Sequence, residues 1–132
     1  MPVRQLVVDA SAMVDLLVGS PLGDPVRRRL EHHQLHAPAH LDAEVLSALG
    51  RLHRGGKLSA IAVASRLRQL AAAPIVRHDL AALVEGAWSL RHNLRLVDAL
   101  YVELALRLEA PLVTTDSALA AASSAAELVT GS

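Results

Sequence analysis

Hydrophobic positions along this chain fall into short blocks of two alternating kinds. Leu6-Val7-Val8 is a continuous apolar run of strand length stopped by Asp9. Behind it, Met13, Leu16 and Leu17 carry a helical period to about Gly19, with Ser11 placed to cap that helix. Asp24-Pro25 has the form of an N-cap followed by a first-turn proline and predicts a helix through Val26 and Leu30. A weak extended segment covers roughly Gln34 to Ala37. Leu41, Val45, Leu49 and Leu52 then recur at helical steps, the stripe of a longer helix that begins near His40 and stops at Gly55-Gly56. Another helix runs from Ser59 through Val63, Leu67 and Leu70 to Ala73-Pro74. Ile75-Val76 reads as a brief buried strand, and Asp79 caps a helix to about Leu90. A further helix spans roughly Leu96 to Leu108, Pro111 to Thr115 is a strand, Ser117 to about Ser123 is a short Ala-rich helix, and Leu128-Val129-Thr130 is a last edge strand. Strands separated by helices imply βαβ crossovers. The expected fold class is α/β, a mostly parallel sheet of four to five strands with helices on both faces, a three-layer α/β/α sandwich.

Composition narrows this picture. At 132 residues the chain fits one domain over positions 1–132. Aromatics are only 2%, Trp88 and Tyr101 with no Phe, so the core is built from Leu, Val and Ala, and those two rings are expected in the core or at a dimer contact. Thirteen basic residues balance 13 acidic ones, which excludes a globally basic nucleic-acid binder. Any such contact must be local, from Arg27 and Arg28 in the Arg27-Arg28-Arg29 run or from Arg51 and Arg54 on the Leu41 helix. The absence of Cys excludes a disulfide framework, a thiol nucleophile and a cysteine zinc site. No charged-then-apolar leader opens the chain and no apolar run reaches bilayer length, so a cytoplasmic protein without a membrane partner is expected. His32, His33 and His36 read as solvated.

Four acids stand in apolar contexts. Asp9 and Asp116 each follow a predicted strand, at the sheet edge where ligand sites form in open parallel sheets. The structural alternative is that each only caps the next helix, although Ser11 and Ser117 are placed to do so instead. Asp98 shares an inward stripe with Val102 and Ala105, away from the wet face marked by Glu103 and Arg107, where an unpaired carboxylate is costly. Its alternative is a cap at the helix start. Glu44 lies at the margin of the Leu41, Val45, Leu49 stripe and is otherwise a solvated glutamate. As a set, Asp9, Glu44, Asp98 and Asp116 offer oxygen and no sulfur, which suits a hard cation, Mg²⁺ or Mn²⁺. Asp15, Asp42, Asp79 and Glu85 read as surface or first-turn acids.

The segments carrying these acids resemble a known family. Val7-Val8-Asp9-Ala10-Ser11-Ala12, Glu44-Val45-Leu46-Ser47-Ala48-Leu49, Val97-Asp98-Ala99-Leu100-Tyr101 and Leu112-Val113-Thr114-Thr115-Asp116 are similar, in order and over almost the whole chain, to the four motifs of PIN-domain ribonucleases, and more narrowly of VapC toxins of type II toxin–antitoxin pairs. The resemblance implies a PIN-like sandwich whose carboxyl edge gathers Asp9, Glu44, Asp98 and Asp116 around Mg²⁺ or Mn²⁺, directly or through water. It implies hydrolysis of RNA phosphodiesters to a 5′-phosphate and a 3′-hydroxyl without the RNA 2′-hydroxyl, with Ser11 and Thr115 as supporting hydroxyls. It also implies a homodimer and a cognate VapB-type antitoxin whose C-terminal segment wraps the toxin. Many relatives carry another acid and an aromatic just after the fourth motif's aspartate. This chain has Ala118 and Leu119 there, so the resemblance supplies no second tightly held metal.

Two other readings compete. A Mg²⁺-binding phosphoacceptor receiver domain needs an acidic pair after the first strand and a late lysine, whereas Asp9 is followed by Ala10 and the one lysine is Lys57. A catalytically weak or inert PIN-fold module, kept for binding or regulation, does not explain why all four acids stand in their motifs.

Overall fold

A computed structural model describes residues 4–131. Five parallel strands form its sheet: β1 (Gln5–Val8), β2 (Gln34–Pro38), β3 (Ile75–His78), β4 (Leu112–Thr114) and β5 (Ala126–Leu128), in the spatial order β3-β2-β1-β4-β5. The helices are α1 (Ala10–Val18), α2 (Gly23–Leu30), α3 (Leu41–Arg54), α4 (Ala60–Ala72), α5 (Val84–Ser89), α6 (Leu96–Leu108) and α7 (Ser117–Ala122). β1 is central because its run is apolar on both faces: Leu6, Val7 and Val8 are at most 1% exposed. α1 packs against α2, α3 and α4, while α5 packs on α6 and α6 lies against β1 and β2; with the right-handed crossovers that parallel strands take, this gives the expected α/β layers. Leu41, Val45 and Leu49 are fully buried, as the stripe predicts, and Gly55 with the left-handed Gly56 ends α3.

Several elements differ from their sequence reading. α1 starts at Ala10 with Asp9, not Ser11, as its N-cap. α2 starts at Gly23, one residue before Asp24, because the Ser20–Gly23 turn already bends the chain. Gly23 is required there: a methyl at that position would lie 2.8 Å from the carbonyl oxygen of Asp15. The helix expected from Asp79 divides into a 3₁₀ turn, Leu80–Ala82, and the six-residue α5, and Asp79 makes no side-chain cap bond. β5 sits two residues earlier than expected, with Leu112 opposite Ala126, although the Val129 amide still bonds Thr114. Glu127 of this edge strand is held by Arg29.

His36 is not solvated. It is 6% exposed in β2, with Nδ1 2.9 Å from His78 Nε2. Trp88 does not enter the core: it is 57% exposed, with the Arg91 guanidinium 4.6 Å above its ring. No helix among the described residues is long and apolar enough to cross a membrane.

Candidate active site at the carboxyl edge of the sheet

Strand order reverses at β1. The chain moves outward through β2 and β3, then crosses back to set β4 against the other side of β1. Loops leaving the carboxyl ends of β1 and β4 therefore diverge, and a crevice opens between them. Asp9 follows β1 and Asp116 lies just past β4, while the first turns of α3 and α6 bring Glu44 and Asp98 to the same edge. All four acids line one cleft of about 200 Å³, with Ser11, Arg51, Arg95 and Tyr101 among its walls.

Asp9 is the most buried of the four, at 4% exposure. Its Oδ1 accepts from the Ser11 hydroxyl at 2.8 Å and the Ala12 amide at 2.9 Å, and its Oδ2 accepts from the Thr114 hydroxyl at 2.6 Å. Burial outweighs these donors and, with the Asp116 charge nearby, pushes the carboxyl from the ordinary 3.8 up to about 6. Among the described residues no cationic side chain pairs with it. Asp116 accepts from the Ala118 and Leu119 amides at 2.9 and 3.2 Å. Both aspartates thus cap helices, as the structural alternative expected, and both also line the cleft. Ser11 does not cap; it supports Asp9 and stands 3.1 Å from the Thr114 hydroxyl.

Glu44 accepts the Tyr101 hydroxyl at 2.7 Å and lies 3.5 Å from His40 Nε2. Tyr101 is a core residue, 1% exposed, with its polar end in the site. Burial first, then the hydrogen bond to Glu44, pushes its phenol far above the ordinary range, so it remains a donor. Asp98 is paired with Arg95, whose Nε stands 3.1 Å from Oδ2.

Thr115 does not turn toward Asp9: its hydroxyl donates to Asp15 at 2.6 Å, and the threonine that bonds Asp9 is its fully buried neighbour Thr114. Side chains alternate along an extended chain, so two adjacent threonines face opposite ways. Asp15, read as a surface acid, also accepts from Ser20 at 2.6 Å and ties α1 to the loops around it. Arg51 lines the cleft and donates to Ser47 at 2.9 Å. Arg54 is exposed on α3 outside the cleft lining. Neither Arg27 nor Arg28 lines it; Arg27 is engaged on α2 with Asp24 at 2.7 Å and Glu31 at 3.8 Å.

Sequence reasoning missed Thr114, Tyr101, His40 and Arg95. Two had a local signal: His40 precedes Glu44 by four residues and Arg95 precedes Asp98 by three, the spacings of helix-surface pairs. Tyr101 and Glu44, on different helices, had none.

Among the described residues, no three His, Cys, Asp or Glu side chains form a group able to hold a metal ion. The acids are engaged within the protein instead: Asp9 accepts from three donors, Asp98 from Arg95 and Glu44 from Tyr101. The chemistry of the set nonetheless fits a hydrated Mg²⁺ or Mn²⁺, because such ions keep several waters and need only one or two direct carboxylates. A buried aspartate without a cationic partner beside a second aspartate supplies that charge.

Known proteins resemble this chain over most of its length. The PIN domain family model matches residues 6–124, and the chain belongs to that family. It is 55% identical over 122 residues to ribonuclease VapC3 of Mycobacterium tuberculosis, spanning 92% of this chain and 89% of that protein. It is 42% identical over 120 residues to ribonuclease VapC1 of the same organism, spanning 89% and 90%. These relatives place it in the VapC ribonuclease family. Its fold also matches a chain of a toxin–antitoxin complex from Klebsiella pneumoniae with a TM-score of 0.67, at 18% identity over 96% of this chain and 98% of that one.

Proposed function

We propose that this toxin is a divalent-metal-dependent endoribonuclease, with Asp9, Glu44, Asp98 and Asp116 holding Mg²⁺ or Mn²⁺ directly or through water. The observation that carries the reading is that these acids, from four separate segments, line one cleft at the point where strand order reverses. When bound, such a cation supplies Lewis acidity toward a phosphate oxygen and an attacking water. The protein's own groups prepare the site. The hydroxyls of Ser11 and Thr114 and the Ala12 amide fix both oxygens of Asp9. Tyr101 fixes Glu44, and Arg51 gives the cleft a cation for an RNA phosphate.

Products carry a 5′-phosphate and a 3′-hydroxyl, since water and not the RNA 2′-hydroxyl attacks. The toxin works in the cytoplasm as a single-domain homodimer and is silenced by a cognate VapB-type antitoxin; the kinship with VapC3 supports the antitoxin partner. A second reading, an inert PIN-fold module, draws on the lack of a ready-made three-ligand group among the described residues.

One experiment decides between them. Purified protein is incubated with single-stranded RNA in Mg²⁺, in Mn²⁺ and in excess EDTA, and the product ends are mapped. Cleavage with either metal, none in EDTA and none by Asp116→Asn supports the enzyme. Full cleavage in EDTA overturns the metal dependence, and no cleavage with either metal favours the inert module.

A further inference from the structure

Arg95 stands at the N-cap of α6, three residues ahead of Asp98, and lines the cleft. Its two contacts with Asp98 are unequal, 3.1 and 3.5 Å, short of the parallel fork a guanidinium makes with a carboxylate in favourable geometry. Its side chain is 72% exposed while that of Asp98 is 17% exposed, so the pair is weak and easily opened. Glu44 and Asp116 add to Asp98 in favouring the charged guanidinium.

The cleft has two arginines in its walls, and they are held differently. Arg51 donates to a neutral hydroxyl, that of Ser47, whereas Arg95 is bound to one of the acids themselves. A divalent cation and Arg95 therefore compete for the oxygens of Asp98. A cation that wins leaves an exposed planar guanidinium free at the mouth of an acidic cleft, where an RNA phosphate must approach against carboxylate charge.

We propose that Arg95 is a phosphate-binding residue for the RNA substrate, held by Asp98 in the metal-free protein and released to the phosphate when a divalent cation takes Asp98. The proposal rests on the cleft being the metal-dependent ribonuclease site. It predicts effects of opposite sign: Arg95 weakens metal binding when RNA is absent and strengthens RNA binding when metal is present. A merely structural role, supporting Asp98 or the start of α6, does not produce that combination.

The test compares wild type, Arg95→Ala and Arg95→Lys, with equal melting temperatures as the control for folding. Mn²⁺ binding is measured by electron paramagnetic resonance without RNA, and binding of a short single-stranded RNA is followed by fluorescence anisotropy in Ca²⁺ across a salt series. Steady-state cleavage in Mg²⁺ separates KM from kcat. For Arg95→Ala, Mn²⁺ binds about threefold tighter, RNA binding and KM weaken about tenfold, and the slope of log affinity against log salt shrinks by about 0.7. Arg95→Lys keeps the slope but loses part of the affinity, because an ammonium lacks the fork. Unchanged RNA affinity and salt slope in Arg95→Ala overturn the proposal, as does weaker Mn²⁺ binding, which marks Arg95 as a support for Asp98. If wild type cuts RNA only with metal and Arg95→Ala behaves like it, Arg95 alone is refuted. If wild type cuts in EDTA, the site reading falls with it.

Discussion

Asp9 binds its proton near pH 6 in the fold and near 3.8 in an unfolded chain, so the metal-free protein is penalised for keeping this carboxylate ionised. The sign follows from proton linkage: between those two values the folded state holds more protons than the unfolded state, and stability falls as pH rises. The penalty is absent well below pH 4, grows through the interval and is complete above pH 6. Its size is about 3 kcal/mol, from 1.36 kcal/mol for each pH unit between the two values. Asp9→Asn removes the ionisable group while keeping an oxygen for the Ala12 amide and the Ser11 hydroxyl, and the Thr114 hydroxyl is able to accept from the new amide. In EDTA, the variant is therefore expected to match wild type at pH 4 and to exceed it by up to about 3 kcal/mol at pH 7.5, on the order of 10 °C in Tm for a chain of this size. Thermal and urea melts at half-unit pH intervals test this. Saturating Mg²⁺ should raise the Tm of wild type at pH 7.5 and leave Asp9→Asn unmoved. A variant less stable than wild type by the same amount at every pH would refute the reasoning, because Asp9 would then serve only as a helix cap.

Tyr101→Phe removes the donor to Glu44 and is expected to cost about 1 kcal/mol in denaturant melts and to lower kcat for RNA more than it raises KM. Unchanged kinetics would take Tyr101 out of the site. Arg77 joins Asp42 of α3 to the carbonyls of Leu70, Ala73 and Ile75. Arg77→Ala should cost about 2–3 kcal/mol, Arg77→Lys should recover little of it, and Mn²⁺ binding should be unaffected in both; full rescue by Lys would show that charge alone matters there. Gly23→Ala sets a methyl 2.8 Å from the backbone of Asp15, and the melt should show a loss of about 1–3 kcal/mol. An unchanged Tm would mean that α1 and α2 slide apart freely.

The parts of the fold legible in the sequence are those written by local periodicity. Leu6-Val7-Val8 reads as a buried central strand because it is apolar on both faces, and the Leu41, Val45, Leu49 stripe identifies α3 and the side that faces the core. Which oxygen caps a helix was less legible. Asp9 and Ser11 are both good caps, and the choice fell to Asp9 because its Oδ1 reaches the Ala12 amide while Ser11 is drawn to Asp9 and Thr114.

Pairings across the fold left no local trace. The contact of Tyr101 with Glu44 exists because α3 and α6 both open at the carboxyl edge, and the choice of Thr114 over Thr115 depends on how β4 is rotated beside β1. For Trp88 the structure excludes the core and leaves the expected dimer contact standing: its apolar neighbours suit a buried helix, whereas α5 is six residues long and buries Ala87. His36 is the opposite case: the β2–β3 register sets it opposite Val76 and one diagonal step from His78, whose ring its own ring meets on the same face of the sheet.

The central claim is that the four acids at this edge hold the metal used to cut RNA. Anomalous diffraction from crystals grown in Mn²⁺ tests it most directly, with wild type and Asp9→Asn compared. A Mn²⁺ peak inside the cleft bounded by Asp9, Glu44, Asp98 and Asp116, lost or strongly reduced in Asp9→Asn, is the predicted result. A wild-type protein that cuts RNA in Mn²⁺ while its crystals show no peak in that cleft, or show one only elsewhere, would contradict it.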